Sequence, residues 1–137
     1  MTGIDTNVLV RYLTRDHTEQ YEAAKQHLEA NCTEENPGYI NVIVLCELVW
    51  VLTRAYDADS EEIVRIVDQI LRTRQLHVER RDQVRSALAK HAESGTGFAD
   101  CLIGELNQHA GVDETVTFDQ RAAQFSRWRE LDWSPSR

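Results

Sequence analysis

Ile40-Asn41-Val42-Ile43-Val44-Leu45-Cys46-Glu47-Leu48-Val49-Trp50-Val51-Leu52 is the stretch on which the reading of this chain turns. Eleven of its thirteen residues are apolar, and its one charge, Glu47, lies inside the run. A segment this apolar is expected to be buried on nearly all sides, and Glu is almost never fully buried without a partner. A dry, unpaired carboxylate costs several kcal/mol or takes up a proton. Glu47 therefore calls for a cation, a hydrogen-bond cage, other protonated acids or a metal ion. The nearest base downstream, Arg54, is seven positions on, beyond one helical turn.

Outward from this helix, short strands alternate with helices. Towards the N-terminus, Met1–Ile4 reads as a strand ending at Asp5, with a helix from Thr6 or Asn7 to Leu13. Asp5 at that boundary suits a helix cap. Asp16-x-x-Glu19 has the outline of a capping box for a second helix to Ala30. Asn36-Pro37-Gly38 is a turn, and Tyr39–Val42 a strand feeding the apolar helix. Beyond it, Asp57–Ser60 breaks the chain before a helix carrying Ile63, Ile66, Val67, Ile70 and Leu71. Gln75–Glu79 reads as a strand, Asp82–Ala92 as a helix and Ser94-Gly95-Thr96-Gly97 as a loop. Phe98–Leu106 is an apolar helix with Asp100 in its first turn, where the helix dipole favours an acid, and Gly111 closes it. Thr115–Phe118 is a strand ending at Asp119, Gln120–Phe125 a helix and Arg129–Trp133 a last strand.

Alternation of this kind implies an α/β fold with a parallel sheet between helices. At 137 residues one domain is expected, over 1–134, with a tail at 135–137. Cys32, Cys46 and Cys101 are odd in number and lack C-x-x-C spacing, which argues against a disulfide framework or a zinc knuckle. No signal-like or membrane-length apolar segment stands out, so a reduced, cytoplasmic protein with no membrane partner is expected. The net charge of −8 opposes binding nucleic acid with the whole surface. Yet Arg72–Lys90 holds six bases against two acids. That segment reads as a nucleic-acid contact, a docking face for an acidic partner, or a solvated helix face.

Parallel sheets collect ligands beyond the carboxyl ends of their strands. Asp5 and Asp119 each follow a strand, while Glu47 and Asp100 lie near the starts of apolar helices, so the fold can bring all four to one edge. Like charges that close raise one another's pKa unless a cation neutralises them. An all-oxygen donor set suits Mg²⁺, or Mn²⁺, and the five histidines show no pair at ligand spacing. The chemistry natural to such a site is metal-assisted hydrolysis of a phosphodiester.

Ile4-Asp5-Thr6-Asn7-Val8-Leu9, Glu47-Leu48, Ala99-Asp100-Cys101-Leu102-Ile103 and Val116-Thr117-Phe118-Asp119 resemble, in order, the four acidic motifs of PIN-domain ribonucleases, especially VapC-type toxins of type II toxin–antitoxin pairs. The resemblance implies a PIN-like three-layer α/β/α sandwich with a central, mainly parallel sheet of four or five short strands. It implies a Mg²⁺- or Mn²⁺-dependent endoribonuclease acting on RNA, inhibited by a cognate antitoxin protein and often a homodimer. Carried over by position, Asp5, Glu47, Asp100 and Asp119 form the catalytic acids, with Asp5 and Asp100 as metal ligands. Thr6, Asn7 and Thr117 are placed to hydrogen-bond those carboxylates. Cys101 stands where the family pattern often has a small residue, and Glu105 is an additional acid one turn beyond Asp100.

A different class of function is a non-catalytic, partner-binding PIN-like module whose acids are caps and whose metal site is vestigial. An aspartyl phosphatase fits less well, because position 7 is Asn where a second Asp is required. No G-x-x-x-x-G-K or G-x-G-x-x-G sequence supports nucleotide binding of those kinds.

Overall fold

The structure is a computed structural model, described here for residues 1–135. Five strands alternate with six helices: β1 (Thr2–Gly3), α1 (Thr6–Thr14), α2 (Thr18–Ala30), β2 (Gly38–Ile40), α3 (Val42–Ala55), α4 (Ser60–Arg72), β3 (Leu76–Val78), α5 (Arg81–Ser94), α6 (Phe98–His109), β4 (Thr115–Thr117) and β5 (Trp128–Glu130). β1, β2 and β3 form a parallel sheet with β2 in the middle, Thr2 opposite Gly38 and Tyr39 opposite His77. β4 and β5 form a separate parallel pair with Val116 opposite Arg129. The expected α/β fold is therefore present, its strands divided three and two.

Strands of two or three residues have little ladder of their own, so the helices carry the core. Leu9, Leu45, Leu48, Val67, Val84 and Leu102, from five different helices, belong to one buried cluster with Ile4, Ile40 and Val78 from the strands or their ends. Among the described residues no helix is long and apolar enough to cross a membrane.

Local chemistry explains where the elements begin. The α3 helix starts at Val42 rather than continuing a strand, because the Asn41 side chain accepts from the Val44 N–H at 2.9 Å. Glu79, just past β3, accepts from the Val42 N–H at 3.0 Å and satisfies a second free donor of that helix end. The proposed Asp16 capping box is not formed: His17 caps α2 through Nδ1. Asp16 instead accepts from the Tyr56 hydroxyl at 2.6 Å and the Thr14 hydroxyl at 2.9 Å, which pulls its carboxyl below the usual range. The helix expected over 120–125 shrinks to a 3₁₀ turn, Ala122–Gln124. The last strand lies slightly earlier than expected, and the tail expected at 135–137 falls, at positions 136 and 137, outside the described residues.

The small sheet is fixed to α6 by a close approach at Gly104. A Cβ there would lie 2.5 Å from Nε1 of Trp128 on β5, with two further ring atoms at 3.0 Å. Only glycine lets the indole sit directly against the helix. This contact matters to the site, because α6 carries Asp100 and the small sheet leads to Asp119. Gly104→Ala is expected to destabilise the fold by roughly 1–3 kcal/mol through overpacking. That cost exceeds the gain of about 1 kcal/mol in helix propensity. Denaturant unfolding of the variant measures the balance, and a net gain in stability would contradict the packing argument.

Candidate functional site

Residue α3 Glu47 is exposed, not buried as its apolar surroundings suggest. Leu45 and Leu48 are closed to solvent on one face, while Ile43 (69% exposed) and Trp50 (63%) stand with Glu47 on the other. The helix is amphipathic with an apolar outer face, which run length alone cannot distinguish from full burial. Glu47 therefore carries no dry charge. Its Oε1 accepts a hydrogen bond at 3.1 Å from the hydroxyl of Thr6, a buried residue in the first turn of α1. This bond ties the first acidic motif to the second.

Asp5 occupies the N-cap position of α1 but makes no capping hydrogen bond, and it is exposed. The cap explanation for this residue thus loses its physical content, and the carboxylate is free to meet a ligand. Asn7, in the first turn of α1, is also exposed, and among the described residues its side chain makes no hydrogen bond.

Asp100 and Asp119 form the second pair. Asp100 is half-buried in the first turn of α6 behind Gly97. Burial, followed by the like charge of Asp119, holds its carboxyl above the usual range. Asp119 is exposed, two residues past β4. Its Oδ1 accepts from the backbone N–H groups of Arg121 (2.8 Å) and Ala122 (3.3 Å), while its own N–H donates to the Thr117 hydroxyl at 3.0 Å. Thr117 thus fixes the Asp119 backbone rather than its carboxylate, and Oδ2 remains outside these bonds.

The four acids do not close into one cluster. Among the described residues, no three of Asp, Glu, His or Cys are placed to hold an ion by themselves. Their elements do meet, since α3 packs against both α1 and α6. The donor chemistry fits a hard divalent ion, and such an ion commonly takes only one or two carboxylates and completes its shell with water and phosphate oxygens. Sulfur is not offered: burial and Asp100 push the Cys101 thiol up to about 11, and Cys101 points its Sγ at the Thr96 carbonyl, 3.7 Å away.

Several side chains around this edge hold it in place. Glu105 turns to Lys90 on α5 in a 2.6 Å ion pair, and that ammonium also lies 5.6 Å from the Phe125 ring centre. His91, buried at the end of α5, has Nδ1 2.7 Å from the Thr96 carbonyl, so Nδ1 carries the proton. Nδ1 is thereby bonded to the loop that launches α6. Arg121 reaches the Gly95 carbonyl of the same loop at 3.5 Å. Sequence reasoning missed Arg121 and His91 as supports, because neither contact has a local spacing signature. Much of the basic 72–90 segment is spoken for: Arg72 pairs with Asp68 and Arg74 with Glu34. Arg81 and Arg85 are exposed and, among the described residues, form no ion pair.

Because the folded Asp100 carboxyl is raised, the native state holds its proton more tightly than the unfolded chain. Stability then falls as pH rises through the ordinary Asp range to the raised folded value. Asp100→Asn is therefore expected to raise the melting temperature at pH 7, by roughly 2–4 °C for each kcal/mol of strain relieved. The increment should vanish at a pH low enough to protonate Asp100 in both states. Thermal unfolding across pH, without added metal, checks this; a lower melting point at neutral pH would contradict it.

With the geometry in view, comparison with known proteins places the chain. The PIN domain family pattern matches residues 4–128. A VapC ribonuclease of Aquifex aeolicus (strain VF5) is 28% identical over 121 residues, covering 88% of this chain and 89% of the relative. The fold, the ordered acidic motifs and the extent of both matches agree: the chain belongs to the PIN-domain family and is VapC-like within it.

Proposed function

We propose that this chain is a divalent-metal-dependent endoribonuclease that hydrolyses RNA phosphodiester bonds, the toxin of a VapC-type toxin–antitoxin pair. The observation that carries the reading is the Asp100–Asp119 pair: Asp100 is half-buried in the first turn of α6, its carboxyl held above the usual range by burial and then by the like charge of Asp119, which lies two residues past β4. A site that strains a carboxylate in this way is suited to a cation, and the family match and the relative named a ribonuclease supply the reaction class.

Asp5 and Asp100 are the residues that would hold the ion, with Asp119 beside Asp100. Mg²⁺, or Mn²⁺, would supply there the positive charge that offsets the carboxylates and stabilises charge building on the attacked phosphodiester. The remaining work falls to the chain. Thr6 fixes the Glu47 carboxylate and so the negative wall of the site. Two backbone N–H groups pin Asp119 through one oxygen and leave the other to accept a hydrogen bond from the attacking water. His91 and Arg121 hold the 95–97 loop that sets the start of α6.

We also propose a homodimer, a cognate antitoxin and a cytoplasmic location. Ile43 and Trp50 on the outer face of α3 offer apolar surface to a second copy. A groove of about 710 Å³ between α1, α2 and α4, lined by Tyr12, Leu13 and Ile66, offers a separate surface to the antitoxin. The absence of a closed acidic cluster among the described residues is the one observation that favours a non-catalytic, partner-binding module with a vestigial site.

Two measurements separate these readings. Asp5→Ala and Asp100→Asn should each abolish Mg²⁺-dependent RNA cleavage while melting no lower than the parent. Cleavage retained in both purified variants would count decisively against the nuclease. Millimolar Mg²⁺ or Mn²⁺ should stabilise the parent by about 2.7 kcal/mol at a hundredfold excess over its dissociation constant. An unchanged melting curve would favour the binding module.

A further inference from the structure

Two large aromatic rings stand in water beside the acidic site with no core to serve. Phe118 is 61% exposed and Trp133 is 64% exposed, and they meet edge to face, ring centres 6.2 Å apart and planes at 81°. Their positions are set by the small sheet. Phe118 follows the last residue of β4, and Trp133 lies three residues beyond β5. The Leu131 N–H donates to the Thr117 carbonyl at 2.8 Å, which holds the two chain exits side by side. Both rings therefore project at the carboxyl end of parallel strands, the side on which such sheets bind ligands.

We propose that Phe118 and Trp133 form a stacking platform for an unpaired base of single-stranded RNA, adjoining the phosphodiester held at Asp119 and Asp100. The inference rests on the ribonuclease reading and extends it to how the substrate is gripped. Consecutive Cα atoms are about 3.8 Å apart. Phe118 and Asp119 are neighbours in sequence, so a base on the ring and a phosphate at the carboxylate fit within one nucleotide or two adjacent ones. An edge-to-face pair covers little of either ring, and the exposures show that most of both remains open. Base–aromatic stacking needs a flat π surface and tolerates any base, which suits a site with few cations for gripping the backbone. Val116, 47% exposed on β4 two residues before Phe118, adds apolar surface beside the rings. A protein partner is the competing occupant of that surface. The flanking carboxylates of Asp119 and Asp132 disfavour an acidic peptide, and the adjacency of Phe118 to Asp119 at the proposed phosphodiester site favours a base of the substrate.

The test uses the full chain with Asp100→Asn added to silence cleavage, Mg²⁺ present, and a fluorescently labelled single-stranded RNA. Phe118→Leu and Trp133→Leu keep apolar bulk but remove the ring; each should weaken RNA binding roughly five- to hundredfold. Phe118→Tyr and Trp133→Phe, which keep a ring, should bind like the parent and control for folding. An RNA with one abasic residue stepped through the cleaved region should bind the parent more weakly at one step. There the Leu variants should cause no further loss. Leu variants that bind intact RNA as the parent does, or weaken abasic and intact RNA equally, overturn the platform while leaving the nuclease reading in place. Leu variants that lose only self-association or binding of a partner protein assign the surface to protein and overturn the platform too. A parent lacking the Asp100 change that cleaves no RNA with Mg²⁺ or Mn²⁺ overturns the ribonuclease reading itself, and the platform with it.

Discussion

Helix α3 must serve the core and the site at once, and the 3.6-residue turn of a helix decides how. Leu45 and Leu48 fall on the inward face and have no exposed surface, while Glu47 between them falls outward. The inward face packs on α1, α4 and α6, so the same helix that organises the core presents a carboxylate at a fixed place relative to both other acid-bearing helices. Thr6 closes the arrangement. Its hydroxyl is buried enough to need a partner and finds one in Glu47, 3.1 Å away. A buried donor without an acceptor costs about 1–3 kcal/mol, so the link contributes to stability as well as to the geometry of the site.

The second acid pair obeys a different constraint. Asp100 and Asp119 belong to separate elements, one on α6 and one beyond β4, and they repel. They stay together because the small sheet is fastened to α6 by contacts that have nothing to do with charge. Trp128 rests against the bare backbone at Gly104, and Asn107 on α6 donates to the Thr115 hydroxyl of β4 at 3.0 Å. Packing and a neutral hydrogen bond thus set where the two acids stand relative to each other.

Much of this was legible in the sequence, and the failures share a physical origin. The alternation of strands and helices could be read because each helix has an apolar stripe and a start or stop residue, as at Asp57–Ser60 before α4 and Gly111 after α6. The four acids stood out as candidates because Asp5, Asp100 and Asp119 sit beside apolar runs at element boundaries and Glu47 is the lone charge inside one. The burial of Glu47 was misjudged because composition within a run does not say which residues share a face when the outer face is also apolar. The Asp16 cap was misassigned because a long-range acceptor role, to Tyr56 forty positions away, outcompeted the local one. Glu105 could not be placed because its partner, Lys90, is on another helix. Gly104 gave no local signal, since its requirement comes from an indole that approaches from a different sheet.

Charge distribution then limits how such a molecule can hold RNA. The chain carries a net −8, and several of its bases are already neutralised: Arg72, Arg74, Lys90 and Arg129 all pair with acids. Exposed pairs of this kind add little to stability, but they remove attraction that would otherwise reach a phosphate backbone. Counterion release, which dominates affinity in basic nucleic-acid binders, would be correspondingly small for a chain of this charge on the ribonuclease reading. On that reading, grip would come from short-range terms at the strand ends: the proposed ion at the carboxylates and the proposed aromatic platform. Each of those acts over a few ångströms and demands an extended, unpaired strand, because the bases of a duplex are already stacked and turned inward. On the ribonuclease reading, the acidity of the body disfavours nucleic acid that cannot reach the strand ends, and an extended single strand is the form best able to reach them.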